Sequence, residues 1–374
     1  MDGYESGAWI DAAEAGGIQQ ALDALPAAGG TVHIPAGRWE VNRTLEIALA
    51  ERQHLNLEGE GRASVLVNTS TTGDPLLSIA GALGQWWPDL TITVRDISFV
   101  GNHDSGDALV VDHPNDTLVD ACFFIGHGGT AVRFVSKGTN ATVRDCWMRD
   151  CKRALSAENL HHLTMHGNQT RRLNEGQVQQ EHVYIDRNCR EVRIVNNHFA
   201  YGDADGIILD GTAQHIVANN TIEGFERCIY VLGCRDLAIT SNYLHGPHGV
   251  VLGGDCSGIT ITGNTMINNT EAAVALEDAL GSGGHVISSN IIRKSVYAEI
   301  VEDTRQGGID LGASMDCVVA SNMLEDITSD AAIVGLGGGG HVITGNRIAR
   351  CSGEPVRLSC DHWCMEADNL SDRA

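Results

Sequence analysis

His182-Val-Tyr-Ile-Asp186 is the first of four segments that can be aligned within residues 182–276; the others are Gly206-Ile-Ile-Leu-Asp210, Cys228-Ile-Tyr-Val-Leu232 and Gly249-Val-Val-Leu-Gly253. Each is followed by a polar turn and a second apolar run that ends in Asn: Arg193-Ile-Val-Asn-Asn197, Ile216-Val-Ala-Asn-Asn220, Ile239-Thr-Ser-Asn242 and Ile261-Thr-Gly-Asn264. Short alternating runs separated by Gly, Asn and Asp are typical of strands and too short for helices. The repeat therefore predicts an all-β chain folded as a right-handed parallel β-helix.

An Asn recurs at intervals of 22–32 residues through the second half of the chain. Its positions are Asn168, Asn197, Asn220, Asn242, Asn264, Asn290, Asn322 and Asn346. Such a period is typical of a repeat architecture with insertions in loops. Because Asn tolerates the left-handed conformation of tight turns and its amides can stack, we interpret these residues as a structural ladder. Together with the earlier strand patterns, they predict about eleven coils.

The sequence indicates one domain that covers the whole chain. We expect a helical cap in residues 1–30, coils in 31–350 and a C-terminal cap or tail in 351–374. The helix is predicted from the spacing of Ile18, Ala21, Leu22 and Leu25. An amphipathic helix there would cover the unpaired strand edges at the open end of a solenoid.

The formal net charge of −23 argues against a nucleic-acid partner, because phosphates would be repelled. No run of eighteen apolar residues is present, so no membrane partner is expected. The start of the chain lacks a basic region followed by an apolar one. We therefore expect a cytoplasmic protein, or a secreted one whose signal peptide is absent from this sequence.

The eleven cysteines follow the repeat. Cys122 and Cys146 lie 24 residues apart, and Cys234 and Cys256 lie 22 apart, so each pair is expected to stack on adjacent coils. Buried thiols behave as small apolar residues. We expect reduced, structural cysteines and no metal site.

Polar residues collect beside the strands of the central coils. Just before the strands, on what we call the rim, stand Glu181, Asp203, Asp205, Glu226, Arg227, His248 and Glu271, and Asp210 follows one strand. Two outward-facing tyrosines, Tyr184 and Tyr230, are expected on the same face. An acid before a strand is also a common turn residue, Arg227 could neutralise Glu226, and the tyrosines could pack against another subunit.

Paired carboxylates on neighbouring coils suit glycosidic-bond cleavage, which needs one proton donor and one base or nucleophile. We predict Asp205 and Glu226 as the catalytic pair, with Asp210 as a further candidate. Tyr184 and Tyr230 offer flat faces for a sugar ring. Arg227 could orient a hydroxyl or carboxylate, and His248 could relay protons. Asp203, Glu181 and Glu271 complete the predicted substrate-binding set.

The opening pattern of a helix followed by Gly-Gly-Thr-Val-His-Ile-Pro-Ala-Gly (residues 29–37) resembles pectate-lyase-like β-helix proteins. The rim resembles polygalacturonases, whose signatures are Asn-Thr-Asp-Gly, Gly-Asp-Asp and Gly-His-Gly. The matching positions are Asp203-Ala-Asp205-Gly, Phe225-Glu226-Arg227 and Pro247-His248-Gly249. Asp205 and His248 match, whereas the paired Asp is replaced by Glu-Arg.

A second resemblance is to the inulin fructotransferase family, which includes difructose anhydride hydrolases. It rests on Val183-Tyr-Ile-Asp, Ile194-Val-Asn-Asn-His-Phe, Asp205-Gly-Ile-Ile-Leu and Ile229-Tyr-Val-Leu-Gly-Cys234. The family's catalytic Asp falls on Asp205. Its catalytic Glu falls near Gly211-Thr-Ala-Gln214, which contains no acid, so Asp210 or Glu226 would have to serve. The resemblance implies a fructan or difructose substrate and a homotrimer.

The sequence thus predicts an enzyme that cleaves or intramolecularly transfers a glycosidic bond in an oligo- or polysaccharide, with no cofactor. A polysaccharide lyase, uronate epimerase or polygalacturonase-like hydrolase is the alternative, with Arg227 and His248 as its bases. A non-catalytic glycan-binding or tailspike-like β-helix is a third possibility.

Overall fold

The computed structural model describes residues 7–51, 53–81, 91–173, 180–202, 204–277, 281–294 and 307–373. It contains three parallel sheets that form a β-solenoid of about fourteen turns, so the predicted all-β parallel β-helix is confirmed. The chain divides into two compact units, residues 1–193 and 194–374. The expectation of a single domain over 1–374 stays a prediction. No helix in the described ranges is long and apolar enough to cross a bilayer.

The described residues of the first unit form one α-helix, one 3-10 helix and nineteen strands. In chain order they are β1 (Ala8–Asp11), α1 (Ile18–Asp23), β2 (Gly29–Ile34), β3 (Gly37–Val41), β4 (Leu45–Ala48), β5 (His54–Gly59), the 3-10 helix η1 (Gly61–Ala63), β6 (Ser64–Asn68), β7 (Leu77–Ala80), β8 (Ile92–Arg95), β9 (Ser98–Val100), β10 (Leu109–Asp112), β11 (Asn115–Asp120), β12 (Phe123–Ile125), β13 (Thr130–Val135), β14 (Gly138–Arg144), β15 (Trp147–Arg149), β16 (Arg153–Ala157), β17 (Leu160–His166), β18 (Gln169–Arg171) and β19 (Val183–Ile185).

Each turn of the first unit supplies strands to three sheets, which we call A, B and C. Sheet A takes β1, β2, β5, β8, β11, β14 and β17; sheet B takes β3, β6, β9, β12, β15 and β18; sheet C takes β4, β7, β10, β13, β16 and β19. The paired strands are parallel and in register, as in the pairing of Leu109 with Val132. Inward side chains alternate with outward ones along each strand, so every turn adds one layer to the core.

The strands of the second unit begin with β20 (Arg193–Val195), whose first residue ends the first unit. They continue with β21 (His198–Ala200), β22 (Ile207–Asp210), β23 (Ile216–Ala218), β24 (Thr221–Glu223), β25 (Arg227–Leu232), β26 (Ala238–Thr240), β27 (Tyr243–His245), β28 (His248–Gly253), β29 (Thr260–Thr262), β30 (Thr265–Ile267), β31 (Val274–Glu277), β32 (Val286–Ser288), β33 (Ile291–Arg293), β34 (Ile309–Asp310), β35 (Val318–Ala320), β36 (Met323–Glu325), β37 (Ala331–Leu336), β38 (Val342–Thr344), β39 (Arg347–Cys351), β40 (Glu354–Ser359), β41 (Met365–Ala367) and β42 (Leu370–Arg373).

The second unit repeats the three-sheet arrangement. Sheet A holds β20, β23, β26, β29, β32, β35, β38 and β41; sheet B holds β21, β24, β27, β30, β33, β36, β39 and β42; sheet C holds β22, β25, β28, β31, β34, β37 and β40. In sheet C, Ile207 pairs with Ile229 and Leu209 with Val231, and all four side chains are fully buried. This is the inward set that the aligned segments predict.

Both ends of the chain differ from the expectation. The N-terminal helix is only α1, a small part of the cap expected in residues 1–30, because Gly16 and Gly17 precede it and Pro26 follows. It buries Ile18, Ala21 and Leu22. Residues 354–373 form strands β40–β42, one further turn, where a cap or tail was expected. The count of about eleven coils is therefore too low.

The predicted Asn ladder is present in the second unit. It consists of Asn197, Asn220, Asn242, Asn264, Asn290, Asn322, Asn346 and Asn369. In each step the backbone N–H and the side-chain amide donate to Oδ1 of the next Asn at 2.9–3.1 Å. The left-handed conformation is taken by the preceding residue, such as Asn196 or Asn219, not by the ladder Asn. The ladder satisfies buried polar groups at each turn.

The eleven cysteines are free thiols, and eight of them are buried. Burial raises the pKa of the Cys228 thiol and of the Cys234 thiol to about 12. These side chains therefore stay protonated and act as small apolar groups, which agrees with the structural role that their spacing predicts.

Candidate active site

The centre of the candidate site is an ion pair between neighbouring turns of the second unit. Arg227, the first residue of β25, donates from Nε and Nη2 to the two carboxylate oxygens of Asp205 at 2.7 and 2.8 Å. Asp205 lies just before β22, and its side chain is 10% exposed, whereas that of Arg227 is 28% exposed. The hydrogen bonds to Asp205 raise the pKa of the guanidinium. A bidentate pair fixes both planar groups, so it presents the cation at a defined position.

The ring of Tyr230 stacks on this cation. Its centroid lies 3.7 Å from Cζ of Arg227, within the range of a cation–π contact. Tyr230 is three residues further along β25, half-buried on the outward face of sheet C. Burial is the main cause of a raised pKa of its phenol. The hydroxyl therefore keeps its proton and is available as a donor near the guanidinium.

Gly253 makes room for the tyrosine. A Cβ built on Gly253 would lie 2.9 Å from the Tyr230 hydroxyl and 3.1 Å from Cε2 of the ring. Gly253 is the last residue of β28 and does not have a positive φ, so its backbone does not require glycine. Its register partner on β31 is Glu277, whose exposed carboxylate contributes to the raised pKa of Tyr230. The Tyr230 ring thus packs against β28, on the side of its strand that faces Glu277.

His248 continues the row that Arg227 begins. The two residues are register partners at the starts of β28 and β25. Nδ1 of His248 lies 3.1 Å from the carbonyl oxygen of Ala272. Because a carbonyl oxygen can only accept, Nδ1 is the donor and carries the proton. In that tautomer Nε2 is an acceptor at the half-buried edge of sheet C, beside the Arg227 strand.

Glu226 is adjacent to the ion pair along the chain, and its side chain is exposed. Its backbone N–H donates to the carbonyl of Ala204 at 3.1 Å, so Glu226 and Asp205 stand on neighbouring turns. Strand spacing separates their backbones by about 5 Å. Arg227 pairs with Asp205 and not with Glu226, which answers the question that the sequence left open.

The remaining predicted site residues of the second unit lie further away. Asp210 ends the strand that follows Asp205, and five residues of extended chain separate the two by about 16 Å. Glu271 is exposed two turns from Glu226, with its N–H donating to the carbonyl of Pro247. Asp203 lies outside the described residues. The structure therefore brings together Asp205, Arg227, Tyr230 and His248, with Glu226 at the edge.

Glu181 and Tyr184 form a cluster of their own in the first unit. Glu181 accepts a hydrogen bond from Arg153, and Cζ of Arg153 lies 5.4 Å from the ring centroid of Tyr184. A second acceptor for this arginine is Oε1 of Gln180 at 2.8 Å. The cluster repeats the combination of carboxylate, guanidinium and phenol seen around Arg227.

Two of these residues escaped the sequence analysis. Arg153 was missed because it lies 28 residues before Glu181, outside the aligned segments. Gly253 ends one of the four aligned segments, and its place there predicts no role. Its signal is that glycine occupies an outward position where the two preceding segments carry Asp210 and Leu232.

Comparison with known families gives one match. The family described as "Periplasmic copper-binding protein (NosD)" matches residues 89–278 and 172–308, which together cover more than half of the chain. The chain belongs to the NosD family. No curated protein matches the sequence significantly.

Several solved structures share the fold of this NosD-family chain. The A-module of the mannuronan C-5 epimerase AlgE6 from Azotobacter vinelandii is 15% identical with a TM-score of 0.65, covering 98% of this chain and 100% of that one. A lidless DFA-IIIase from Arthrobacter chlorophenolicus A6 is 12% identical with a TM-score of 0.53, covering 96% and 100%. The Dettilon tailspike protein is 13% identical with a TM-score of 0.50, covering 93% and 64%. At these identities the likeness concerns the fold alone.

Proposed function

We propose that the protein is a carbohydrate-active enzyme whose substrate lies on the outward face of sheet C in the second unit. The observation that carries this proposal is the Asp205–Arg227–Tyr230 arrangement: an oriented carboxylate, a fixed cation and a flat aromatic face on neighbouring turns. A sugar ring needs such a combination, because its C–H face stacks on aromatic rings while its hydroxyls take hydrogen bonds. Two of the proteins that share the fold, a mannuronan C-5 epimerase and a DFA-IIIase, are named as enzymes.

The first reaction that we propose is cleavage or intramolecular transfer of a glycosidic bond. Asp205 would be the nucleophile or base, oriented by its two hydrogen bonds from Arg227. Glu226 would be the proton donor, one turn away and open to substrate. A backbone separation of about one strand spacing is compatible with the carboxylate distances that retaining and inverting enzymes need. The fructan or difructose substrate implied by the family resemblance belongs to this reaction.

The second candidate is elimination or epimerisation at a uronate. A specific observation favours it, namely the phenol of Tyr230 beside Arg227 with His248 in the same row. Here Arg227 would bind the uronate carboxylate, which stabilises charge that develops when the neighbouring C–H proton is removed. Nε2 of His248 would accept that proton, and Tyr230 would donate one.

The copper in the family's description does not fit the described residues. No three His, Cys, Asp or Glu side chains among them are grouped as ligands. Burial raises the pKa of Cys151 and of Cys228 to about 12, whereas metals bind thiolates. No step of either proposed reaction passes through copper.

A substrate screen tests the proposal and separates the two reactions. The protein would be incubated with inulin, levan, difructose anhydrides, polygalacturonate and alginate. New reducing ends indicate hydrolysis, an anhydride product without reducing ends indicates transfer, and ultraviolet absorption of an unsaturated sugar indicates elimination. Deuterium uptake from heavy water at the uronate C–H, measured by NMR, indicates epimerisation. Binding without any of these products would contradict an enzymatic role and favour the glycan-binding alternative.

A further inference from the structure

Two aromatic side chains face outward on sheet B of the first unit. Phe123 on β12 and Trp147 on β15 are register partners, and both are half-buried. Their rings meet edge to face at an angle of 86°, with centroids 6.3 Å apart. Outward positions of a solvent-facing strand are usually polar, so an aromatic pair on such a face marks an interaction site.

An arginine covers this pair. Arg62, in the 3-10 helix η1, places Cζ 4.3 Å from the centroid of Phe123 and 4.9 Å from that of Trp147. The side chain is exposed. Within the described residues no carboxylate lies within 4 Å of it. Its positive charge is therefore held by aromatic rings, which do not neutralise it.

Other arginines of the same unit are arranged differently. Arg144 on sheet A donates to both oxygens of Asp120 at 3.0 and 2.7 Å. Arg95, also on sheet A, donates twice to the carboxylate of Glu58. Each of these cations is neutralised by an acid on the neighbouring turn. Arg62 differs from these two arginines, because its guanidinium contacts two aromatic rings.

The sheet B face around Arg62 carries no acid over five consecutive strands. Its outward positions on β6, β9, β12, β15 and β18 are Val65, Val67, Ser98, Val100, Phe123, Ile125, Trp147, Arg149, Gln169 and Arg171, of which Val67 and Ser98 are buried. Arg149 contacts the buried Asp150 at 3.2 Å, and Arg171 is exposed. The nearest acid on the face is Glu40 on β3, which pairs with Arg38. In a chain of net charge −23, this is a local surface of apolar and cationic groups.

We propose that this face, with Arg62, Phe123 and Trp147 at its centre, is an accessory binding surface for an acidic polysaccharide of the polyuronate class. A uronate has both features that the surface complements. Its C–H face can pack on the exposed part of the Trp147 ring, and its carboxylate can pair with Arg62. The surface would hold the polymer without taking part in its chemistry.

This inference does not depend on the reaction proposed for sheet C, because its residues belong to another sheet of the other unit. Nucleic acid is the competing occupant. Its tighter binding needs many phosphate contacts along a basic groove, which one aromatic pair with three arginines does not supply.

The test is calorimetric binding of oligogalacturonate to the full chain and to two variants at low salt. Arg62→Gln removes the exposed cation, and Arg144→Gln is the matched control from the same unit, because Arg144 is exposed and paired with an acid. We expect Arg62→Gln to weaken binding about tenfold and Arg144→Gln to leave it within twofold. Trp147→Leu should weaken it as much as Arg62→Gln, with thermal melting used to verify folding.

Three results would overturn the proposal. The first is absence of oligogalacturonate binding by the wild type. The second is equal loss in Arg62→Gln and Arg144→Gln, which would mean a general charge effect. The third is tighter binding of inulin or of single-stranded DNA than of oligogalacturonate. Catalytic activity on a short substrate is measured in parallel and should be unchanged in Arg62→Gln.

Discussion

Arg227 donates hydrogen bonds to both carboxylate oxygens of Asp205, at 2.7 and 2.8 Å, and the two residues lie on neighbouring turns of the solenoid. The two residues are 22 positions apart in the sequence, one period of the repeat. The pair orders the guanidinium on which Tyr230 stacks. The proposed activity therefore depends on a geometry that only successive turns can create.

Replacement of Arg227 by Lys tests the importance of that geometry. Lysine keeps the charge but cannot form two parallel hydrogen bonds or stack flat on the Tyr230 ring. We expect kcat/KM to fall about 10- to 100-fold, because a charge-assisted hydrogen bond contributes about 1.5–3 kcal/mol. Steady-state kinetics with the substrate identified by the screen would measure kcat/KM. A value within twofold of wild type would show that the two parallel hydrogen bonds of Arg227 are dispensable.

Gly253→Ala tests whether the close approach of the Tyr230 ring to Gly253 matters for activity. The new methyl group would push the phenol away from its present position, and displacements of about 1 Å cost up to 100-fold in rate. We expect lower kcat/KM with little change in melting temperature. The double variant Gly253→Ala, Tyr230→Phe should lose less kcat/KM than the two single losses combined, since the closest clash is with the hydroxyl that Phe lacks. Full additivity of the two losses would contradict the proposed contact.

The fold could be anticipated to a large extent. The aligned segments place Ile207, Leu209, Ile229 and Val231 inside, because a strand buries every second residue and the repeat keeps the register. The number of turns could not be read reliably. The first turns have no Asn at the ladder position, where Cys122 and Cys146 stand instead, and the strands of the last turn are only partly buried, so their sequence resembles a tail.

The candidate site was only partly accessible from the sequence. Spacing groups Asp205, Arg227 and His248, because they lie at equivalent positions of successive turns. It does not decide whether Glu226 or Arg227 points toward Asp205, since a shift of one residue reverses the side-chain direction. The role of Gly253 depends on the orientation of the Tyr230 ring. That orientation is set by side-chain packing, and the sequence repeat does not predict it.

Stability should fall with acid before most carboxylates titrate. Burial lowers the pKa of His127, His215 and His285 to about 4 and that of His182 to about 3. Below pH 6.5 the unfolded chain binds protons at these residues and the folded chain does not. The free energy of unfolding therefore has its full value above pH 6.5 and decreases toward pH 4. Each histidine contributes a decrease of up to about 1.4 kcal/mol per pH unit.

Melting temperatures at pH 7, 6 and 5 would measure this loss. His127→Leu removes one of the four groups, so its melting temperature should change less between pH 7 and pH 5 than that of the wild type. His103→Leu is the control, because His103 is exposed on a loop. Equal pH dependence in the wild type and His127→Leu would contradict the assignment of His127 as a buried neutral group.

The Asn ladder should dominate the stability of the second unit. Asn242 accepts from the backbone and side chain of Asn220 and donates to the carbonyl of Val217 and to Asn264. Asn242→Leu would leave several buried polar groups without partners, at a cost of about 2–4 kcal/mol. Thr240→Ala, on the outward face of the same turn, should cost about 0.5 kcal/mol or less. Urea unfolding would compare them, and similar midpoints would argue against the ladder's importance.

The most direct test of the proposed site compares Asp205→Asn with Asp120→Asn. Both aspartates accept two hydrogen bonds from an arginine one turn away, but Asp120 belongs to sheet A of the first unit. On the substrate that the screen identifies, we predict that Asp205→Asn lowers kcat/KM about 100-fold or more and that Asp120→Asn stays within twofold of wild type. Wild-type activity in Asp205→Asn, or an equal loss in both variants, would contradict the account.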